Sequence, residues 1–360
     1  MSRTRLDRVR ARLADQGVDA LLVGPSADLR WLVGYEAMPL ERLTMLVVPV
    51  DGDPTLFVPG LEVARAEASG ATDLADLSAW GETDDPIALV AGTVPGDGRL
   101  AVQDQLWTSF TLALQETLPG AEWVPGSTVT APLRMVKDDH EVAALHAVGA
   151  AIDDVHARVA DLLRPGRTET EVGRDIAELI RGTHDQVSFV IVASGPNGAS
   201  PHHELSDRVI EVGDPVVVDI GGVLDGYCSD ETRNYVVGDV DPAYRELHDV
   251  LEAAQAAGVD AVRPGVTAES VDAAARAVID DAGWGEQFIH RTGHGIGVDG
   301  HEPPWIVAGD VTELAPGMAF SVEPGIYVAG RHGARIEDIV VVTEDGVASA
   351  NHRPRGLTVA

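Results

Sequence analysis

Two aspartates, Asp219 and Asp230, stand eleven residues apart in VVVDIGGVLDGYCSDETRNYVVG, a stretch that otherwise reads as a pair of buried strands. An ionised carboxylate is tolerated in a core only when a paired base, a dense set of hydrogen bonds or a metal replaces its lost hydration. Three further residues sit in similar surroundings. His294 lies in RTGHGIG, Glu323 in FSVEPGIYV and Glu337 in GARIEDIVVV. Taken singly, each has a plain explanation: a turn aspartate, a hydrogen-bonded core histidine, a glutamate paired to Arg335. Taken together, four acids and one imidazole in apolar strands form a hard, oxygen-rich donor set, too anionic to stay buried without cations. Two divalent ions sharing carboxylates would neutralise it, hold a water between them and polarise an acyl oxygen. The chemistry such a set points to is hydrolysis.

These residues need strands and tight turns to hold them. The turn signal LDGY between Asp219 and Asp230 predicts a hairpin that folds the two aspartates back toward each other. The glycines around His294 let the backbone crowd against a neighbour. Ahead of this region, helical spacing predicts a long amphipathic helix over 138–163, stopped by Pro165 and Gly166, and a second helix opening at TETEVGRDIAELIRGTH with a Thr-rich, acidic cap. VSFVIVASG reads as a strand, and two more helices are expected near 241–258 and 267–283. The order of two helices followed by strands occurs twice, which suggests two similar halves packed around one sheet. Residues before about 130 alternate helix and strand signals instead (RTRLDRVRARLADQG, VDALLVG, LTMLVVPV, GDPTLFVPG, GRLAVQ), the pattern of an α/β domain. Two domains are therefore expected, 1–130 and 131–360.

Composition narrows the partners. Lys+Arg 26 against Asp+Glu 58 gives a net charge of −32, which repels phosphate backbones and anionic lipid, so neither nucleic acid nor a membrane is expected. Lys137 is the only lysine and Cys228 the only cysteine, so no internal disulfide framework exists. The charged opening MSRTRLDRVRARLADQG lacks the apolar stretch of a signal peptide, and a cytoplasmic setting is the expectation.

The blocks VVVDIGGVLDGYCSDETR, GHGIGVDGHE, SVEPGIYV and GARIEDIVV resemble the signature blocks of the pita-bread metallopeptidases, the group of prolidase, aminopeptidase P and methionine aminopeptidase. The resemblance covers 138–360, and the spacings match as well as the letters, with eleven residues between the aspartates and fourteen between Glu323 and Glu337. The α/β segment resembles the N-terminal domain of the creatinase and prolidase branch. The fold implied is thus an α/β N-terminal domain followed by an α+β pita-bread catalytic domain. By this resemblance Asp219 chelates one metal, His294 and Glu323 hold the other, and Asp230 and Glu337 bridge both. Manganese is implied first, with cobalt or zinc as substitutes. Glu323 would also act as general acid and base. His202, in SPHHELSD, and His301, in DGHEPP, match histidines that donate hydrogen bonds to the developing oxyanion. The neighbouring His203 is expected to be a surface residue. His290 matches a histidine lining the proline pocket, against the rival reading of a structural hydrogen bond. Arg335 would orient a bridging carboxylate.

The activity implied is cleavage of Xaa-Pro bonds, of dipeptides as in prolidase or of longer peptides as in aminopeptidase P. A dipeptidase must read the free carboxylate after proline, and a guanidinium is the natural clamp. Several prolidases carry an arginine eleven residues after the ligand histidine; here that residue is Trp305, and no Arg or Lys occurs from Thr292 to Gly330. The loop GYEAMPLERLT offers Arg42, with Tyr35 nearby, as a clamp reaching across a homodimer, although Arg42 could equally be a loop arginine paired to Glu41. A metal-free creatinase-like enzyme and a non-catalytic binding relative are the remaining alternatives, and neither would keep the donor set.

Overall fold

The computed structural model describes residues 3–360, which divide into two compact units, 3–134 and 135–360. The first unit carries helices α1 (Arg3–Gln16), α2 (Ala27–Val33), α3 (Val63–Ala68), α4 (Pro86–Ala91), α5 (Thr108–Thr117) and α6 (Ser127–Met135). Its strands are β1 (Ala20–Val23), β2 (Met45–Pro49), β3 (Thr55–Pro59), β4 (Asp76–Trp80), β5 (Arg99–Val102) and β6 (Glu122–Pro125). They form one mixed sheet in the order β4-β3-β2-β1-β5-β6, with a core of Leu22, Met45, Phe57, Leu100 and Leu114. The unit runs on to Arg134, past residue 130, because α6 is tied back to it. Thr130 Oγ1 donates to Asp28 at 3.1 Å, and Arg134 pairs with the same carboxylate at 2.8 Å.

The second unit opens with α7 (Asp139–Leu162) and α8 (Glu169–Arg181), each started by a reciprocal capping box, Asp138 with Glu141 and Thr168 with Glu171. Then follow β7 (Gln186–Ser194), β8 (Pro215–Leu224), β9 (Tyr227–Cys228) and β10 (Glu231–Val236), and after them α9 (Pro242–Ala261) and α10 (Ala268–Asp281). The chain ends with β11 (Gly293–Gly295), β12 (Glu302–Ile306), β13 (Ala319–Val322), β14 (Gly325–Val328), β15 (His332–Arg335), β16 (Asp338–Val342), β17 (Val347–Ser349) and β18 (Thr358–Val359). All four helices stand where their periodicity predicts them.

The strands do not form one sheet. They divide into β18-β10-β8-β7 with β9 on β8, into β12-β11-β13-β16-β17, and into the ribbon β14-β15. No ladder joins the first two sheets across their seam; Arg233 of β10 reaches Asp338 of β16 at 2.6 Å. The Asn234 amide ties β10 to the β14-β15 ribbon, donating to Arg335 C=O at 2.7 Å and accepting from Arg335 N–H at 3.3 Å, while a single backbone bridge joins Thr232 to Glu337, the residue before β16. Each sheet buries one face under a helix pair. Val216, Val218 and Ile220 of β8 pack with Ile152, Val155 and Ile176 of α7 and α8; Phe320 and Val322 of β13 pack with Val271 of α10. Because strand side chains alternate, the residues between them, Asp219 among them, point to the opposite face.

Candidate metal centre

The hairpin delivers its aspartates as the turn signal predicts. Asp225 and Gly226 take positive φ of 50° and 81°, the conformation of a type I′ turn, and the register pairs Asp219 with Thr232. Asp230, two residues before Thr232, therefore shares that face. Across the seam, β11 brings His294, the end of β13 brings Glu323, and the Thr232 bridge fixes Glu337. The backbone around His294 approaches its neighbours so closely that a Cβ at Gly293 would lie 1.8 Å from Ser321 O, and one at Gly295 2.2 Å from Pro303 O. Only glycine fits at either place.

All five donors converge. Ligand atoms of Asp219, Asp230 and Glu337 lie within 4.8 Å of one another, as do those of His294, Glu323 and Glu337 and those of Asp230, His294 and His301. Glu337, Asp230 and His294 each belong to two of these groups, and two shared carboxylates are what a dinuclear centre requires. Asp219 Oδ1, Asp230 Oδ1 and Glu337 Oε1 are buried without a hydrogen-bond donor. Three desolvated, unsatisfied carboxylate oxygens facing one another are strongly unfavourable on their own and fit divalent cations. The electrostatics agree. Burial first, then the neighbouring carboxylates, push Asp230 and Glu337 well above the ordinary carboxylate range. Burial also raises Glu323, but the hydrogen bond and charge of His294 more than offset it and hold Glu323 at about 2. His294 is correspondingly held up at about 9: burial lowers it, and Glu323, 3.2 Å away, outweighs burial.

Around the donors lies a cavity of about 740 Å³, walled on one side by Phe189, Val190 and Ile191 of β7 and on the other by the histidines. His202 is exposed at this cavity, and the His301 ring lies 3.8 Å from that of His294. Burial first, then the charge of His294, push His301 down to about 4, so it is neutral at pH 7. His290 is fixed through both nitrogens: Nδ1–H donates to Arg291 C=O at 2.7 Å, and Nε2 accepts from Tyr327 Oη at 2.9 Å. It therefore lines the cavity with a ring rather than with a free hydrogen-bonding edge.

Arg335 touches different carboxylates from those expected. Its guanidinium bonds Asp219 directly and Tyr327 Oη at 2.8 Å, and it reaches the shared Glu337 only through Thr232, whose Oγ1 lies 3.1 Å from Nε and 2.8 Å from Glu337 Oε2. His203 is not a surface residue. Its Nε2 lies 2.7 Å from Glu169, a fully buried carboxylate that also accepts from Ser194, Asn197 and Ser206. Glu169 thereby pins the turn-rich segment carrying His202. Arg42 and Tyr35 belong to the first unit and do not line the cavity. Arg42 pairs with Glu41 and, at 3.0 Å, with Glu82, and Tyr35 is a core residue at 2 % exposure.

Glu169, Tyr327, Thr232 and Arg291 escape the sequence reading because their roles rest on contacts between distant segments. Lys137 is a fifth case. The chain's lone lysine is buried 2.7 Å from Glu302, the residue after His301, and anchors the start of β12 beside that histidine.

Residues 143–344 match the model of metallopeptidase family M24, and residues 5–136 that of the creatinase/prolidase N-terminal domain. A probable dipeptidase PepE of Mycobacterium tuberculosis is 50 % identical over 359 residues, covering 99 % of this chain and 96 % of the relative. The Xaa-Pro dipeptidase of Lactobacillus helveticus is 34 % identical over 363 residues, 98 % of each chain. Among solved structures, a recombinant prolidase from Thermococcus sibiricus superposes with a TM-score of 0.95 at 34 % identity, covering all of both chains. With its donor set intact and both domains matched, this chain belongs to metallopeptidase family M24, in the branch that carries a creatinase/prolidase N-terminal domain.

Proposed function

We propose that the protein is an Xaa-Pro dipeptidase that hydrolyses the imide bond before a C-terminal proline. The observation that carries the reading is the convergence of Asp219, Asp230, His294, Glu323 and Glu337, with three orphaned carboxylate oxygens, at the floor of an apolar-walled cavity. Asp219 would hold one divalent ion, His294 and Glu323 the other, and Asp230 and Glu337 both. When bound, the two ions supply the polarised water and the Lewis acidity of the reaction. Manganese suits the oxygen-rich set best.

The chain's own residues do the rest. Glu323 takes a proton from the attacking water and returns it to the proline nitrogen as the C–N bond breaks. Ser321 Oγ, 3.0 Å from Glu323 Oε1, holds that carboxylate in place. His301, neutral at pH 7, and His202 donate N–H groups to the oxygen on which negative charge develops. Phe189 and Ile191, opposite Gly221 and Asp219 in the register, exclude water from one side. The Arg335–Tyr327–His290 chain fixes the ring that faces proline. No step requires Arg42 or Tyr35. A cytoplasmic homodimer is the setting proposed, on family resemblance and on a chain whose described residues include no helix able to cross a membrane.

A second reading, an Xaa-Pro aminopeptidase acting on longer peptides, is favoured by one observation: Trp305 stands where a carboxylate-binding arginine is found in several prolidases. Hydrolysis of Ala-Pro against Ala-Pro-Gly by manganese-loaded protein decides between them. Preference for Ala-Pro supports the dipeptidase and preference for the tripeptide the aminopeptidase; cleavage of neither overturns both.

A further inference from the structure

The cavity holds two arginines, and only one is committed. Arg335 is buried and bonded to Asp219, Thr232, Tyr327 and Pro201 C=O. Arg291 lines the same cavity, is exposed, and has no carboxylate partner among the described residues. Glu204, the one acid on the cavity wall outside the donor set, makes no ion pair with it. Two features hold the Arg291 side chain. Its guanidinium lies over the Trp305 indole at 4.5 Å, and its backbone carbonyl is fixed by His290. Stacking on an aromatic face orders a guanidinium while leaving its N–H fork open. The indole is therefore a platform, and the register pairs Trp305 with His294, directly beside the metal donors.

Charge balance makes the same point. Two divalent ions would match the four donor carboxylates and leave both arginines in excess, of which Arg335 is spent on hydrogen bonds to Asp219, Thr232 and Tyr327. Arg291 is then a surplus positive charge, ordered and unpaired, in a cavity whose other positive groups are occupied. We propose that Arg291 is a specificity-determining residue that reads a carboxylate of the substrate. Trp305 is its positioning residue, so the residue that seems to remove a clamp instead supports one. The inference rests on the Xaa-Pro hydrolase reading above. Two sources supply such a carboxylate in an Xaa-Pro peptide: the C-terminus after proline, or an acidic side chain before it.

The test compares wild type, Arg291→Gln, Arg291→Lys, Trp305→Ala and Arg42→Ala, each manganese-loaded and checked for fold by circular dichroism. kcat/KM is measured on Ala-Pro against Ala-Pro amide, and on Asp-Pro against Asn-Pro. A fall of about ten- to hundredfold in the Ala-Pro preference ratio for Arg291→Gln, carried mainly by KM, supports the inference with the C-terminus as source. The same fall confined to the Asp-Pro ratio supports it with the side chain as source. Arg291→Lys retains part of the preference and Trp305→Ala loses part of it. Both ratios unchanged in folded, active Arg291→Gln overturn the inference, as does loss of preference in Arg42→Ala alone. Wild-type protein that cleaves none of these peptides overturns the Xaa-Pro reading itself, a separate result from an active enzyme whose ratios ignore Arg291.

Discussion

Replacing Glu169 with glutamine tests whether the His202 segment is held by one buried carboxylate. Glu169 opens α8, where the helix N-terminus favours negative charge, and it has no solvent exposure. Oε1 accepts from Ser194 N–H and Ser194 Oγ at 2.7 Å each and from Asn197 at 3.1 Å; Oε2 accepts from His203 at 2.7 Å, Ser206 at 2.5 Å and Asn197 at 3.1 Å. Burial raises this carboxyl, but those donors outweigh it and hold it below the usual range. Glutamine keeps one acceptor oxygen and turns an amide N–H2 toward the donors of the other. Hydrogen bonds to a charged acceptor contribute about 1.5–3 kcal/mol each, so losing two predicts destabilisation of about 3–6 kcal/mol. Since the folded group is the stronger acid, its contribution is present above the ordinary carboxylate range and lost as pH falls through it. Glu169→Gln should therefore lower the urea midpoint at pH 7 and flatten the acid limb of stability. It should also reduce kcat/KM on Ala-Pro by about ten- to hundredfold through misplacement of His202, with metal content intact. A variant with the wild-type midpoint and wild-type kinetics refutes the reasoning.

Lys137→Met breaks the buried pair with Glu302 and should destabilise the catalytic unit by about 3–5 kcal/mol in urea titrations while slowing Ala-Pro hydrolysis through His301. Gly293→Ala has no room beside Ser321 O and should give protein that is insoluble or cannot load metal, checked by expression and elemental analysis. His156 and His248 are held neutral, at about 3 and about 4, first by burial. Their unfolded values are near 6.5, so below that pH the unfolded chain takes protons first and each histidine lowers stability by about 1.4 kcal/mol per pH unit. Urea midpoints of apo protein between pH 7 and pH 5 should show this slope, reduced in His248→Leu.

What could be read beforehand was whatever the chain writes locally. Capping boxes, helical periodicity and the Asp-Gly turn are short-range signals, and α7, α8, α9, α10 and the Asp219 hairpin stand where those signals put them. The converging acids of the candidate metal centre were legible because acids in apolar strands contradict their surroundings, and such a contradiction marks a candidate site. The seam was not legible. Beside β10 the ladder gives way to side-chain bonds, Asn234 to Arg335 of the ribbon and Arg233 to Asp338 of β16, and nothing in a strand's own alternation announces that substitution. His203 was misread for the same reason: its partner, Glu169, lies at the start of a helix and looks there like an ordinary first-turn acid. Arg335 was expected on a bridging carboxylate but bonds Asp219, because Thr232 fills the gap between the guanidinium and Glu337.

The most direct measurement is metal stoichiometry by native mass spectrometry, read on the same samples as Ala-Pro hydrolysis. Wild-type protein should carry two divalent ions per chain, lose both ions and activity to a chelator, and regain them with manganese, whereas Asp230→Asn and Glu337→Gln should fail to hold the pair. One ion or none in active protein, or hydrolysis that survives complete chelation, would contradict the account.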